Sequence, residues 1–172
     1  MKVLVIGSGG REHTIAWRLA LSNRVDEVIC VPGNGGTATE NKCRNINPKD
    51  DPSLENLSLN EAAVKIAKEC NVDFAVIGPE DPLAAGIADS LWEAGIKTVG
   101  PKAKGAALEA SKDLSKVFMK KYGVACAGSE TFTDKEKALE ILRERVENPE
   151  TWNGAAILSL NQVKSSTAWW ND

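Results

Sequence analysis

The chain has 172 residues, 42% of them hydrophobic and 26% charged, with a formal net charge of −3. That balance is ordinary for a globular protein and excludes a disordered chain, a collagen-like fibre and a coiled coil. No apolar run approaches the roughly 18 residues of a membrane span, and a slightly acidic chain lacks the basic face of a general nucleic-acid binder.

In chain order, Lys2 to Ile6 reads as a short buried strand, apolar at Val3, Leu4, Val5 and Ile6. It runs into Gly7-Ser8-Gly9-Gly10, and Arg11 to Leu21 follows with helical spacing, Ile15, Ala16, Leu19 and Ala20 sharing a face. Glu27 to Val31 is the next strand and ends at Pro32-Gly33-Asn34-Gly35-Gly36, a loop by composition. Strand, helix and strand in so few residues predict a βαβ unit with a right-handed crossover. Residues 47–58, with two prolines and Asp50-Asp51, read as a surface loop. Leu59, Ala63, Ile66, Ala67 and Cys70 form a second helical stripe, Asp73 to Ile77 a strand, and Gly78-Pro79-Glu80-Asp81-Pro82 a loop. A third helix carries Leu83, Ile87 and Leu91, and Lys97 to Val99 closes the pattern as a strand. Four strands alternating with three helices predict a doubly wound, Rossmann-like α/β domain with a parallel sheet.

Two further helices are expected, one with Leu114, Val117, Phe118 and Tyr122, the other with Ala138, Leu139, Leu142 and Val146. Thr133 and Glu136 have the spacing of a capping box for the second. Residues 151–172 differ: they hold Trp152, Trp169 and Trp170 but only Lys164 and Asp172 as charges, with no clean period. The apolar N-terminal run is too short for a signal peptide. Four scattered cysteines without a CxxC pair suit free thiols in a reducing cytosol. A single histidine, His13, argues against an ordinary His/Cys zinc site, and no metal site is assigned.

Ligands of an open parallel sheet sit beyond the carboxyl ends of its strands, where the loops Gly7–Gly10, Pro32–Thr37 and Gly78–Pro82 fall. Glycines let backbone N–H groups approach an anion, and a following helix adds unpaired donors. Gly7–Gly10 is therefore either a phosphate cradle, assisted by Arg11 and His13, or simply a tight turn. The dinucleotide fingerprint GxGxxG matches at Gly7 and Gly9 but meets Glu12 at its third position. The strand that should end in a ribose-binding acid ends at Val31-Pro32, and no Walker A run occurs, so a nicotinamide dinucleotide is disfavoured. Glu80, stiffened by Pro79 and Pro82, either accepts from both hydroxyls of a ribose or caps the following helix. Lys112, Lys116 and Lys120 share one helical face, as a solvated face or as phosphate ligands.

The runs KVLVIGSGGREHTIAW, VPGNGGTA, VIGPEDPLAAGIAD and GPKAKGAALEASK with FMKKYGV resemble the phosphoribosylamine–glycine ligase family, also called glycinamide ribonucleotide synthetase, over about residues 1–146. The resemblance implies an ATP-grasp ligase of purine biosynthesis. In it glycine carboxylate attacks the γ-phosphate of ATP, and the amine of 5-phosphoribosylamine displaces phosphate from glycyl phosphate. Its cofactors would be ATP and Mg²⁺ (or Mn²⁺), and its substrates phosphoribosylamine, glycine and ATP, in the cytoplasm without nucleic acid or membrane. The implied organisation is an α/β substrate domain at 1–103, the beginning of an ATP-grasp domain at 104–146, and a tail at 147–172 unlike the family. Carried over by motif, Gly9, Gly10 and Arg11 would lie near the 5-phosphate, and Asn34, Gly35 and Thr37 would border the substrate. Glu80 would hold the ribose hydroxyls and Lys112 an ATP phosphate, although the family's Gly-Ser-Lys is Ala110-Ser111-Lys112 here. The family's metal carboxylates and second grasp lobe have no counterpart in this sequence, so this chain alone is expected to be inactive. A non-catalytic phosphoribosyl-binding module is the alternative.

Overall fold

A computed structural model of the chain describes residues 1–148 and 157–158. Two compact units result, one spanning Met1–Ala110 and a second beginning at Ser111.

The first unit is built on five parallel strands: β1 (Lys2–Gly7), β2 (Glu27–Pro32), β3 (Cys43–Asn45), β4 (Phe74–Ile77) and β5 (Lys97–Val99), in the order β3-β2-β1-β4-β5. β1 lies at the centre and is covered on both faces, which is why its four apolar residues run without alternation. Val3 and Val5 pack toward α1 (Gly10–Ala20), with Ala16, Ala20, Val28 and Cys30. Leu4 and Ile6 join the opposite cluster, with Ala63 and Ile66 of α2 (Leu59–Glu69) and Ile87 and Leu91 of α4 (Ile87–Glu93). Ile87 and Leu91 are fully buried; removing each from water contributes about 1.5–3 kcal/mol.

α2 starts on a capping box in which Ser58 Oγ accepts from Glu61 N at 3.3 Å and Glu61 Oε2 accepts from Ser58 N at 2.9 Å. The expected third helix is two helices, α3 (Glu80–Ala84) and α4, because Gly86 takes a left-handed φ of 87° and its N–H turns back to Leu83 O. Glu80, Asp81 and Pro82 consequently lie in the first turns of α3 and not in a loop. Two further elements escaped the sequence pattern. β3 is a three-residue edge strand with two polar members, and α5 (Ala103–Ala110) is an alanine-rich helix in the first unit, which therefore extends to Ala110. Residues 47–58 are more than a surface loop: a 3₁₀ turn at Pro48–Asp50 leads to Leu54, which is buried in the core.

In the second unit, α6 (Lys112–Lys121) is capped by Ser111 Oγ, which accepts from Leu114 N at 3.2 Å. Lys116 Nζ donates to Ala127 O at 2.8 Å and Lys120 Nζ to Ser129 O at 3.1 Å, so two of the three stripe lysines hold the following segment. β6 (Thr131–Phe132) pairs in parallel with β7 (Ile157–Leu158). Between them, α7 (Lys135–Glu147) is capped by Asp134, whose Oδ1 accepts from Lys137 N at 3.1 Å. The cap is thus one residue later than the Thr133–Glu136 spacing suggested. Trp152, Trp169 and Trp170 lie outside the described residues.

Candidate functional site

Strand order reverses direction at β1: the chain moves outward to β2 and β3 on one side, then crosses to β4 and β5 on the other. The carboxyl ends of β1 and β4 are therefore the switch point of the sheet, the place where such folds receive ligands. The loops after β1 and β4 flank it, and the loop after β2 joins from the side.

The β1 loop is organised by Glu12. This side chain is 5% exposed; its Oε2 accepts from Gly9 N at 2.8 Å and its Oε1 from Arg11 Nε at 2.8 Å. It lies against the backbone of both flanking strands, so that a Cβ at Gly7 or at Gly78 would overlap its chain, and one at Gly9 would stand 2.8 Å from Oε2. Arg11, more than half exposed, reaches from Glu12 toward the first turn of α3, where Nη2 stands 3.5 Å from Glu80 Oε2. The bond to Glu12 raises the guanidinium pKa above its ordinary value. Glu80 moves the opposite way: its own backbone N–H, and then Arg11, hold its carboxyl below the usual range. Gly10 and Arg11 head α1, where backbone N–H groups lack intrahelical acceptors and the helix end favours an anion.

The β2 loop follows a cis Val31–Pro32 bond and is tied to itself. Thr37 Oγ1 accepts from Asn34 N at 2.8 Å and donates to Asn45 Oδ1 at 2.7 Å, while Thr37 N donates to Asn34 Oδ1 at 2.9 Å. Asn45 Nδ2 closes the knot on Asn34 O at 2.7 Å. Asn34 Nδ2 then donates to Ser8 O at 2.9 Å, fastening this loop to the β1 loop. His13 adds a second tie, Nε2 to Glu40 Oε1 at 2.9 Å, with its ring against Gly36.

Gly9, Gly10, Arg11, Asn34 and Glu80 are thus brought to one end of the sheet. Gly35 is exposed at the tip of the β2 loop. Thr37 is buried, and its hydroxyl is committed to holding the loop. Lys112 is exposed at the start of α6 in the second unit. In the sequence Glu12 stands out only as a break in a fingerprint. Its position three residues after Gly9, at a helix start, was the available signal of a cap. Cys30 is buried beside Cys43, and burial pushes its thiol up to about 12, which makes it a core residue and a poor nucleophile.

Among the described residues, no group of three His, Cys, Asp or Glu side chains is placed to hold a metal ion, and no helix is long and apolar enough to cross a membrane.

An open parallel sheet with helix-borne donors and a carboxylate at its switch point defines a doubly wound α/β domain that presents polar groups beyond its strand ends. Residues 1–109 match the family described as phosphoribosylglycinamide synthetase, N domain, and the chain belongs to that family. It is 46% identical over 144 residues to the phosphoribosylamine–glycine ligase of Clostridium acetobutylicum, covering 84% of this chain and 32% of the relative. The enzyme of the same name from Listeria monocytogenes is 45% identical over 147 residues, with 84% of this chain and 33% of the relative covered. The chain thus spans about a third of the length of these relatives. Among solved structures, the phosphoribosylamine–glycine ligase of Thermotoga maritima superposes with a TM-score of 0.50 at 28% identity, over 86% of this chain and 30% of that one. The biotin carboxylase domain of Hydrogenobacter thermophilus 2-oxoglutarate carboxylase, solved with MgADP, ADP and bicarbonate, gives 0.59 at 24% identity, over 83% and 32%. That likeness is one of fold.

Proposed function

We propose that this chain provides the phosphoribosylamine-binding part of a phosphoribosylamine–glycine ligase, the ATP-dependent enzyme of purine biosynthesis that joins glycine to the sugar amine in the cytosol. The observation that carries the reading is the pairing, at the switch point, of Arg11 on the N-terminal turn of α1 with Glu80 on the N-terminal turn of α3. A 5-phosphate is suited to the first and ribose hydroxyls to the second: N–H donors and a guanidinium meet an anion, and a carboxylate kept ionised by its neighbours accepts from a diol. Gly9 and Gly10 keep the first turn free of side chains, and the Asn34–Thr37 loop forms the adjoining wall.

In the full reaction, glycine carboxylate attacks the γ-phosphate of ATP and the sugar amine then attacks the acyl carbon, expelling phosphate. The contribution of this chain's residues is to bind and orient the phosphoribosyl group, an entropic contribution to catalysis. Lys112 is assigned to an ATP phosphate. No residue of this chain is assigned to the divalent metal that accompanies ATP in the family, the described residues bringing no three His, Cys, Asp or Glu side chains together.

Calorimetric titration with ribose 5-phosphate tests the reading. Binding is expected, and Arg11→Ala should weaken it by about tenfold or more, the worth of a charge-assisted bond of roughly 1.5–3 kcal/mol. No heat at millimolar ligand would refute it.

A further inference from the structure

The sequence places an acid where a dinucleotide-binding turn has its third glycine, and the structure shows what the acid does there. In a dinucleotide site the glycines let a pyrophosphate approach the helix N-terminus across the crevice between the central strands. Here that crevice is floored by the Glu12 side chain, which is 5% exposed and seated between Gly7 and Gly78, where a Cβ on either strand would overlap it. Glu12 also removes one donor from the turn, because Gly9 N–H is bonded to Oε2 at 2.8 Å. At the same time it fixes one edge of Arg11, whose Nε donates to Oε1 at 2.8 Å, and so directs the rest of the guanidinium outward. The donors left for a ligand are those of the next residues along α1 and the outer edge of Arg11. Glu12 holds Arg11 on one side, and a second carboxylate, Glu80, stands 3.5 Å from Arg11 Nη2 on the other.

We infer that Glu12 is the specificity-determining residue of this site: it restricts the turn to a single phosphate and rejects a pyrophosphate. A second phosphate directed toward the strand ends would meet the volume Glu12 fills and the carboxylate that holds Gly9 N–H and Arg11 Nε, and like-charge juxtaposition is a strong discriminator. The inference rests on the phosphoribosyl reading above and adds to it the basis of selectivity. Glu12 itself is a positioning residue, acting through Gly9 and Arg11 and through the volume it occupies.

The test compares ribose 5-phosphate, inorganic pyrophosphate and ADP-ribose as calorimetric ligands for the wild-type chain, Glu12→Gln and Glu12→Ala. A site that ranked anions by charge alone would prefer pyrophosphate. The wild type is expected to prefer ribose 5-phosphate over both pyrophosphate compounds by about tenfold or more. Wild-type binding of pyrophosphate as tight as that of ribose 5-phosphate overturns the inference without recourse to any variant. In Glu12→Gln, which keeps the volume and loses the charge, the preference should narrow. In Glu12→Ala, which also opens the crevice, it should narrow further. A purely structural role would weaken all three ligands together, and an unchanged ratio in variants that retain the native circular dichroism overturns the inference. Absence of ribose 5-phosphate binding by the wild type sinks the phosphoribosyl reading as well, whereas binding with an unchanged ratio sinks the inference alone.

Discussion

Adding one methyl group at Gly78 should unseat Glu12. Gly78 is not in the left-handed region, so Gly78→Ala is a steric perturbation and not a backbone one. The new Cβ would stand within 2.5 Å of Oε1, Cγ and Cδ of Glu12, atoms of a buried side chain fixed at both oxygens. Either the end of β4 shifts, at the roughly 1–3 kcal/mol typical of overpacking, or Glu12 leaves. If it leaves, the bond from Gly9 N–H is lost, at about 1.5–3 kcal/mol for a charged acceptor. The chain takes the cheaper route or a mixture, so the expected destabilisation is about 1–3 kcal/mol and not the sum of the two. The assay is urea unfolding followed by the ¹H–¹⁵N resonances of Val3–Ile6, which report on the first unit alone. Glu12→Ala supplies the control: with that side chain gone, Gly78→Ala should cost no more than about 0.5–1 kcal/mol, leaving a large coupling between the two positions. Equal cost in both backgrounds would refute the packing argument.

Thr37→Val keeps the shape but removes the hydroxyl that joins Asn34 N to Asn45 Oδ1. It should destabilise the first unit by about 1–3 kcal/mol and weaken ribose 5-phosphate binding in the same titration, while Thr37→Ser restores both; an unaffected urea midpoint would contradict the knot. Glu27 accepts from Arg44 Nε at 2.8 Å and lies 3.3 Å from Lys2 Nζ, and these partners, Arg44 first, hold its carboxyl below its ordinary value. A depressed carboxylate stabilises fully above the unfolded pKa and loses that contribution as pH falls through the folded one. Glu27→Gln should therefore be less stable than wild type by roughly 0.5–1 kcal/mol at neutral pH, with the urea midpoints converging in acid; a gap independent of pH would count against the assignment.

How much of this was legible beforehand depends on the scale of the feature. β1, α1, β2, α2 and β4 were readable because each is either a run of apolar residues or a helical stripe, and burial of both faces of β1 leaves a strong signature. β5, Lys97-Thr98-Val99, was legible only from its place in the alternation and from the Gly100-Pro101 that ends it. β3 was not, since an edge strand of Cys43, Arg44 and Asn45 is set by pairing with β2 and carries no hydrophobic pattern of its own. The break at Gly86 needed a left-handed dihedral that sequence only permits. At the site, the three loops could be located from their glycines, and the structure brings Arg11 and Glu80 into reach of each other across 69 positions in sequence. The roles of Thr37 and Glu12 were hidden for one reason: both are polar residues facing inward, and a linear pattern does not distinguish a polar side chain that serves a ligand from one that serves the loop.

The register of the sheet sets where these loops begin. Gly7 stands level with Pro32, and Ile6 is paired with Val31 on one side and Ile77 on the other, so all three loops leave the sheet at the same height. Each strand residue advances the chain by about 3.3 Å and reverses its face. An insertion or deletion within β1, β2 or β4 would therefore misalign one wall of the site and turn a buried side chain outward in the same stroke. The crossovers are less tightly bound, and the segment between β3 and α2 can lengthen or shorten on either side of Leu54, whose side chain is anchored in the core, while the loops stay in place. Length variation in descendants of this chain, natural or designed, should accumulate there and spare the three central strands.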